Sequence, residues 1–157
     1  MNPDDYADTL EDWLEPTPLP AIDDYHVFAR TAFGELIAFG SKNGHIIKVD
    51  PMWNAIYAVK NWITVLNTKW DKKISMFFGF AEKSKFDLDD MEDKPLFAPA
   101  LKRLGPLGPD EMYGFVPALA LGGTTKEENL KKMNIFVHLD ILSELSDERV
   151  MPNWNLS

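Results

Sequence analysis

Residues 94–123 read KPLFAPALKRLGPLGPDEMYGFVPALALGG, and the route of the backbone through this stretch decides the fold. Pro95, Pro99, Pro106, Pro109 and Pro117 alternate with Gly105, Gly108, Gly114, Gly122 and Gly123 around short apolar runs. Proline fixes φ and removes an amide donor, and glycine admits positive φ. The composition therefore specifies a path, not a reactive surface. Pro95–Leu104 opens on proline and stops before Gly105, the asymmetry of a short helix. Tyr113–Leu121 is apolar with Pro117 inside, which suits a buried, irregular or edge strand. Gly122 and Gly123 turn the chain back.

Working outward from this stretch, Glu127–Met133 reads as a turn or more of helix, Asn134–Val137 as strand-like and Val137–Leu145 as helix. The tail after Ser146 has no pattern. On the other side, Asp87–Asp93 is an acidic linker. Lys69–Phe80 places Trp70, Ile74, Phe77 and Phe78 at helical steps and predicts a helix with an aromatic face. Ala55–Leu66 reads as a further strand with a loop. Tyr25–Thr31 and Glu35–Phe39 flank a turn and predict a hairpin, followed by a strand over His45–Val49. Asp4–Leu14 carries Tyr6, Leu10, Trp13 and Leu14 on one helical face, with acids suited to the helix dipole in its first turn. Pro16, Pro18 and Pro20 end that helix in a stiff connector. The expected fold is α+β: a small, mainly antiparallel sheet with several helices in a single compact unit.

The 157 residues contain no cysteine, so disulfides, thiolate metal sites and a cysteine nucleophile are excluded. A chain of this length buries a core without staples. The segment MNPDDYADTLEDWLE lacks the basic and apolar parts of a signal peptide, and no apolar run reaches the roughly 20 residues of a spanning helix.

Net charge is −9 and unevenly placed: eight of the 25 acids precede Arg30, the first basic residue, leaving 17 acids against 16 Lys+Arg. Direct binding of nucleic acid is disfavoured, because phosphate is neutralised by basic groups. A basic protein partner is favoured through complementary fields, although acids also keep an ordinary helix soluble. The candidate partner-binding residues are Asp4, Asp5, Asp8, Glu11 and Asp12 around Trp13, with Asp87, Asp89 and Asp90 as a second acidic patch. Trp13 is either an interface anchor ringed by charge or the residue that docks the helix on the sheet.

Reactive constellations are not expected. Taking Asp89 as position one of a calcium loop puts Lys94 where glycine is required. His26, His45 and His138 lack the i, i+4 partner of a zinc helix. The run from Gly105 to Gly108 has neither GK[ST] nor GxGxxG order, and no GxSxG occurs. Asp110 and Glu111 are adjacent acids of a turn. No catalytic set, metal or cofactor is expected.

Several runs of residues resemble one bacterial family. They are Pro95-Leu96-Phe97, then Arg103-Leu104-Gly105-Pro106-Leu107, then Asp110 through Gly123 including Tyr113-Gly114-Phe115 and Pro117, and finally His138-Leu139-Asp140. Upstream, Asn2 to Tyr6 with Trp13-Leu14, and Tyr25 to Arg30 with Ala32-Phe33-Gly34, are similar to the later part of a GAD-like region. The whole resembles immunity proteins that join such a region to a C-terminal domain found in immunity proteins against type VI secretion DNase toxins. In that family more chain usually precedes the Asn2–Tyr6 segment. The resemblance implies a GAD-like region over residues 1–50 and an immunity-type domain over residues 51–157. It further implies a cytoplasmic, non-enzymatic protein that neutralises a cognate toxin, expected to be a basic nuclease. The rival expectations are an enzymatic or small-ligand domain with a pocket near Tyr113–Pro117, and a self-associating structural subunit.

Overall fold

Between Tyr25 and Ala58 four segments pair side by side in chain order: β1 (Tyr25–Arg30), β2 (Leu36–Gly40), β3 (Ile46–Asp50) and β4 (Ala55–Ala58). All three pairings are antiparallel, with one register shift between Val27 and Ala29. The computed structural model describes residues 2–58, 69–145 and 148–152. The expectation for Ala55–Leu66 is met by β4 as far as Ala58, and the remainder lies outside the described residues.

Alternation puts Val27, Leu36, Ala38, Ile47, Val49 and Ile56 into the main core. Ile37, Ile46, Phe28 and Phe39 form a second cluster with Phe77. A sheet that is apolar on both faces has both covered. α1 (Ala7–Leu14) and α5 (Ile135–Ser143) supply Leu10, Trp13, Leu139 and Leu142 to the main core. α3 (Trp70–Phe80) lies over the second cluster, with Trp70 stacked on Phe39 at 4.5 Å and Phe77 edge-on to Phe28 at 4.9 Å.

The segment from Pro95 to Gly123 builds its own layer. α4 (Phe97–Leu104) is followed by β5 (Glu111–Phe115), which pairs antiparallel with β6 (Leu130–Asn134). Leu96, Ala100, Tyr113, Phe115 and Leu130 bury a third cluster together with Phe33 and Met52 of the first half. The strand stops ahead of a cis Val116–Pro117 bond. Past it, Gly122 sits at φ +85°, and a Cβ on Gly123 would lie 2.0 Å from the Pro117 carbonyl oxygen. Glycine is needed at the first position for its dihedral and at the second for close backbone approach.

Three local expectations are corrected. Residues Leu130–Met133, expected to end a helical turn, belong to β6 (Leu130–Asn134), because pairing with β5 outweighs their helical tendency; only Glu127–Asn129 makes a 3-10 turn. Of Asn134–Val137, expected strand-like, only Asn134 is in a strand, as the last residue of β6, and Ile135–Val137 open α5. Asn134 also caps α5, its Oδ1 accepting from the Val137 amide at 3.1 Å. The proline-rich connector contains α2 (Leu19–Ile22), a single turn whose Pro20 falls at its start, where no amide donor is required. The tail, which carried no pattern, is tied down: the Ile56 amide donates to the Val150 carbonyl at 2.8 Å and the Val150 amide to that of Asn54 at 2.9 Å.

The division expected at residue 50 falls between β3 and β4 of one sheet. The main core crosses it, joining Tyr6, Trp13 and Val27 to Met112, Ile135 and Leu139.

Candidate interaction surface

α1 begins after a 3-10 turn over Pro3–Tyr6, in which the Asp4 amide donates to Asn2 Oδ1 at 3.4 Å. The buried side is Tyr6, Thr9, Leu10, Trp13 and Leu14, while Asp4, Asp5, Asp8, Glu11 and Asp12 all face solvent. The five acids thus share one exposed face, as their spacing suggests.

Trp13 does not share it. It is 0% exposed, its Nε1 donates to the Leu139 carbonyl at 3.2 Å, and the Arg149 guanidinium lies 4.6 Å from its ring centroid. Of the two roles open to Trp13, the structure shows the docking one, onto α5. A fully buried indole has no surface to give a partner.

α5 lies alongside α1. Tyr6 and Phe136 are 4.9 Å apart by ring centroids, and Thr9 Oγ1 donates to Asp140 Oδ1 at 3.1 Å. Arg149 bridges the far ends, donating to the Ser143 carbonyl at 2.9 Å and the Asp12 carbonyl at 3.5 Å. The outward side of α5 carries Val137 and Ile141, and Glu144 and Leu145 follow just past its end; all are exposed. Sequence reasoning did not single out Val137 and Ile141, although their i, i+4 spacing on a helix with a second apolar face was the available signal. His138, half-buried beside them, has its pKa lowered by burial.

The second acidic patch is built into a loop. Asp87 Oδ1 accepts from the amides of Leu88 and Phe97, each at 2.8 Å, and so caps α4. Asp90 Oδ1 accepts from the amides of Glu92 at 2.7 Å and Lys94 at 3.0 Å. The Lys94 and Glu92 amides hold the Asp90 carboxyl below its ordinary pKa. Asp89 is exposed and its backbone bridges to Pro95. Among the described residues no group of three or more His, Asp or Glu side chains could hold a metal ion.

The glycine–proline segment is held by two arginines. Arg30 on β1 donates to the carbonyls of Pro109 at 2.8 Å, Glu111 at 2.9 Å and Gly108 at 3.3 Å. Arg103 on α4 donates to the Leu130 carbonyl at 2.9 Å and to that of Glu127. Arg30 was not read as a staple, since nothing local distinguishes it from a strand-end charge. Tyr113 is 1% exposed and its hydroxyl donates to the Gly105 carbonyl at 2.6 Å, so it does not line an open pocket. A cleft of about 450 Å³ lies elsewhere, lined by Arg30, Thr31, Lys83, Phe86, Asp87 and Phe97. Its Arg30 and Asp87 groups are committed to backbone partners, as described above.

An ionic trio, with Asp50 buried and Glu35 and Lys48 partly exposed, completes the inventory. Lys48 Nζ lies 2.5 Å from Glu35 Oε1 and 3.8 Å from Asp50 Oδ2. Burial, reinforced by Glu35 and opposed by Lys48, pushes the Asp50 carboxyl up to about 6. Glu35 stands just before β2, and Lys48 and Asp50 lie on β3.

Taken together, the fold is α+β, with exposed acids on α1 and exposed apolar side chains on α5. Residues 1–52 match the family model of the GAD-like domain, and residues 71–146 match that of the T6SS immunity protein Tdi1, C-terminal. The two matched stretches follow one another along the chain, the first over its N-terminal third and the second over just under half of it. The crystal structure of Atu4351 from Agrobacterium tumefaciens has the same fold, with a TM-score of 0.74 at 19% identity, over 93% of this chain and 66% of that chain. This chain therefore spans just under two thirds of that protein's length. No curated protein matches the chain significantly.

Proposed function

We propose that this protein binds a cognate type VI secretion toxin and neutralises it by occupancy, without chemistry of its own. The match of residues 71–146 to the T6SS immunity family carries this reading. The exposed acids of α1 support it from the physical side. A nuclease must present positive charge to phosphate, so an acidic protein face can take the place of DNA on that surface. A DNase is accordingly the toxin we infer, met in the cytosol, where DNA lies. No helix among the described residues is long and apolar enough to cross a membrane.

The test is co-expression with a type VI secretion DNase toxin, the first candidate being the product of the adjoining gene. Cells carrying both should survive, and the purified protein should abolish DNA cleavage at a fixed molar ratio to the toxin. Killing that continues unabated in the presence of folded protein overturns the reading.

A further inference from the structure

We propose that the outer face of α5, with Val137 and Ile141 at its centre and Leu145 at its end, is the apolar anchor on which the toxin seats. The proposal rests on the immunity reading and names the surface that performs it.

Val137 is 58% exposed, Ile141 53% and Leu145 46%. Buried Ile135, Leu139 and Leu142 already satisfy the inward side of α5, so the helix carries a second apolar side that the fold does not use. At about 100° per residue, Asp140 and Glu144 lie beside Val137 on the flank that faces α1. Across that flank stand the acids of α1, brought within reach by the Thr9–Asp140 hydrogen bond and the Arg149 bridge to Asp12. An apolar centre with an acidic border results, and it fits a partner with an apolar depression among basic residues. A second copy of this chain is a poor occupant, because acids would meet acids in a protein of net charge −9.

The contrast with α3 sharpens the choice. Phe78 and Phe80 are also exposed, at 55% and 78%, but Lys72, Lys73, Lys83 and Lys85 surround their part of the sequence. That surface suits an acidic partner, not a basic nuclease. With Trp13 buried, α5 is the apolar surface adjoining the acidic helix.

The experiment measures association and dissociation of the protein with a catalytically inactive form of the toxin that the co-expression test identifies. Val137→Ser combined with Ile141→Ser should speed dissociation about tenfold or more, with association changed far less. Ile141→Met keeps the apolar contact and should retain binding. Phe80→Ser should dissociate like the wild type. Unaltered circular dichroism and melting of each variant separate binding from folding. Normal wild-type binding with unaltered dissociation in the double variant overturns the surface while leaving the immunity reading intact. Absence of binding by the wild type overturns the immunity reading, and the surface falls with it. A wild-type dimer in sedimentation that the double variant dissolves assigns this face to a second copy and overturns the toxin assignment.

Discussion

The indole Nε1 of Trp13 donates to the carbonyl oxygen of Leu139 across 126 positions of sequence. Trp13 lies in the stretch that matches the GAD-like model and Leu139 in the stretch that matches the Tdi1 model, so the bond ties the two matched stretches together. Around it Tyr6, Leu10, Leu14, Ile135 and Leu142 exclude water. A buried indole N–H left without an acceptor is costly, so the register of α1 on α5 is fixed by this pair as well as by shape.

Trp13→Ala is expected to destabilise the protein by about 3–5 kcal/mol, the range for removing a large buried aromatic. Trp13→Phe restores part of the volume but leaves the Leu139 carbonyl without its donor, so its loss should be intermediate. Urea unfolding followed by far-UV circular dichroism measures both. A Trp13→Ala protein as stable as the wild type would show that α1 is not docked as described.

Arg30 performs the comparable task for the glycine–proline segment, one guanidinium donating to three carbonyls. Arg30→Ala should cost about 2 kcal/mol or more. Arg30→Lys should recover less than half of that, because one ammonium cannot span the fork. Hydrogen exchange at Glu111–Phe115 should rise in both. Unchanged protection there would mean that the staple is not what holds β5.

The fold was legible wherever a side-chain period repeats over several residues. The hairpin over Tyr25–Phe39, the helix over Trp70–Phe80 and the amphipathic face of α1 follow from such periods. Where a single residue decides, the reading failed. Asn134 turns a strand-like stretch into the start of a helix through one cap hydrogen bond. Leu130–Asn134 becomes a strand only because β5 is there to pair with it. The acids of α1 were legible as a surface because charge rarely goes inside. Trp13 was not, since an amphipathic helix places a tryptophan inward or outward with the same local pattern, and only the partner helix decides. Val137 and Ile141 were hidden for the complementary reason: an apolar residue near a chain end reads as core until the core is seen to be full.

Asp50 supplies a pH signature. Its carboxyl stands at about 6 in the folded protein, against an unfolded value of about 3.9. Between these values the folded state holds more protons than the unfolded one. Stability from this group is therefore complete below about pH 4 and is lost as pH rises through about 6. Asp50→Asn cannot ionise, so it should gain on the wild type across that window, by at most about 3 kcal/mol at 1.36 kcal/mol per unit. The difference between wild-type and variant unfolding free energies at pH 4 and pH 7 isolates this group from the other titrating residues. A difference that does not change with pH would sink the assignment.

Gly122 and Gly123 should respond differently to the same methyl group. Alanine at Gly122 meets open space and bears only the strain of φ +85°, about 1 kcal/mol. Alanine at Gly123 drives Cβ onto the Pro117 carbonyl oxygen, a backbone atom that cannot swing away. Its melting temperature should fall by clearly more than that of Gly122→Ala. Equal melting temperatures would show that the chain does not fold back on Pro117 as described.

The last prediction concerns how the toxin finds this protein. Asp8 and Glu11 are exposed on α1, so reversing their charge leaves the core untouched. Exposed charges at the edge of an interface act through the long-range field and govern the encounter, whereas buried apolar contacts govern how long the complex lasts. Asp8→Lys with Glu11→Lys should therefore slow association with the toxin about tenfold at low ionic strength and leave dissociation nearly unchanged. The deficit should shrink as salt shortens the screening length from about 10 Å at 0.1 M towards about 3 Å at 1 M. Asp87 and Asp90 provide the contrast, because their carboxylates cap α4 and close their own loop. Asn at either position should disturb that loop and α4 before it disturbs the encounter. Association kinetics of the two sets, each measured across a salt series, separate steering from structure. An association rate for the α1 pair equal to that of the wild type at every salt concentration would place the encounter surface somewhere else.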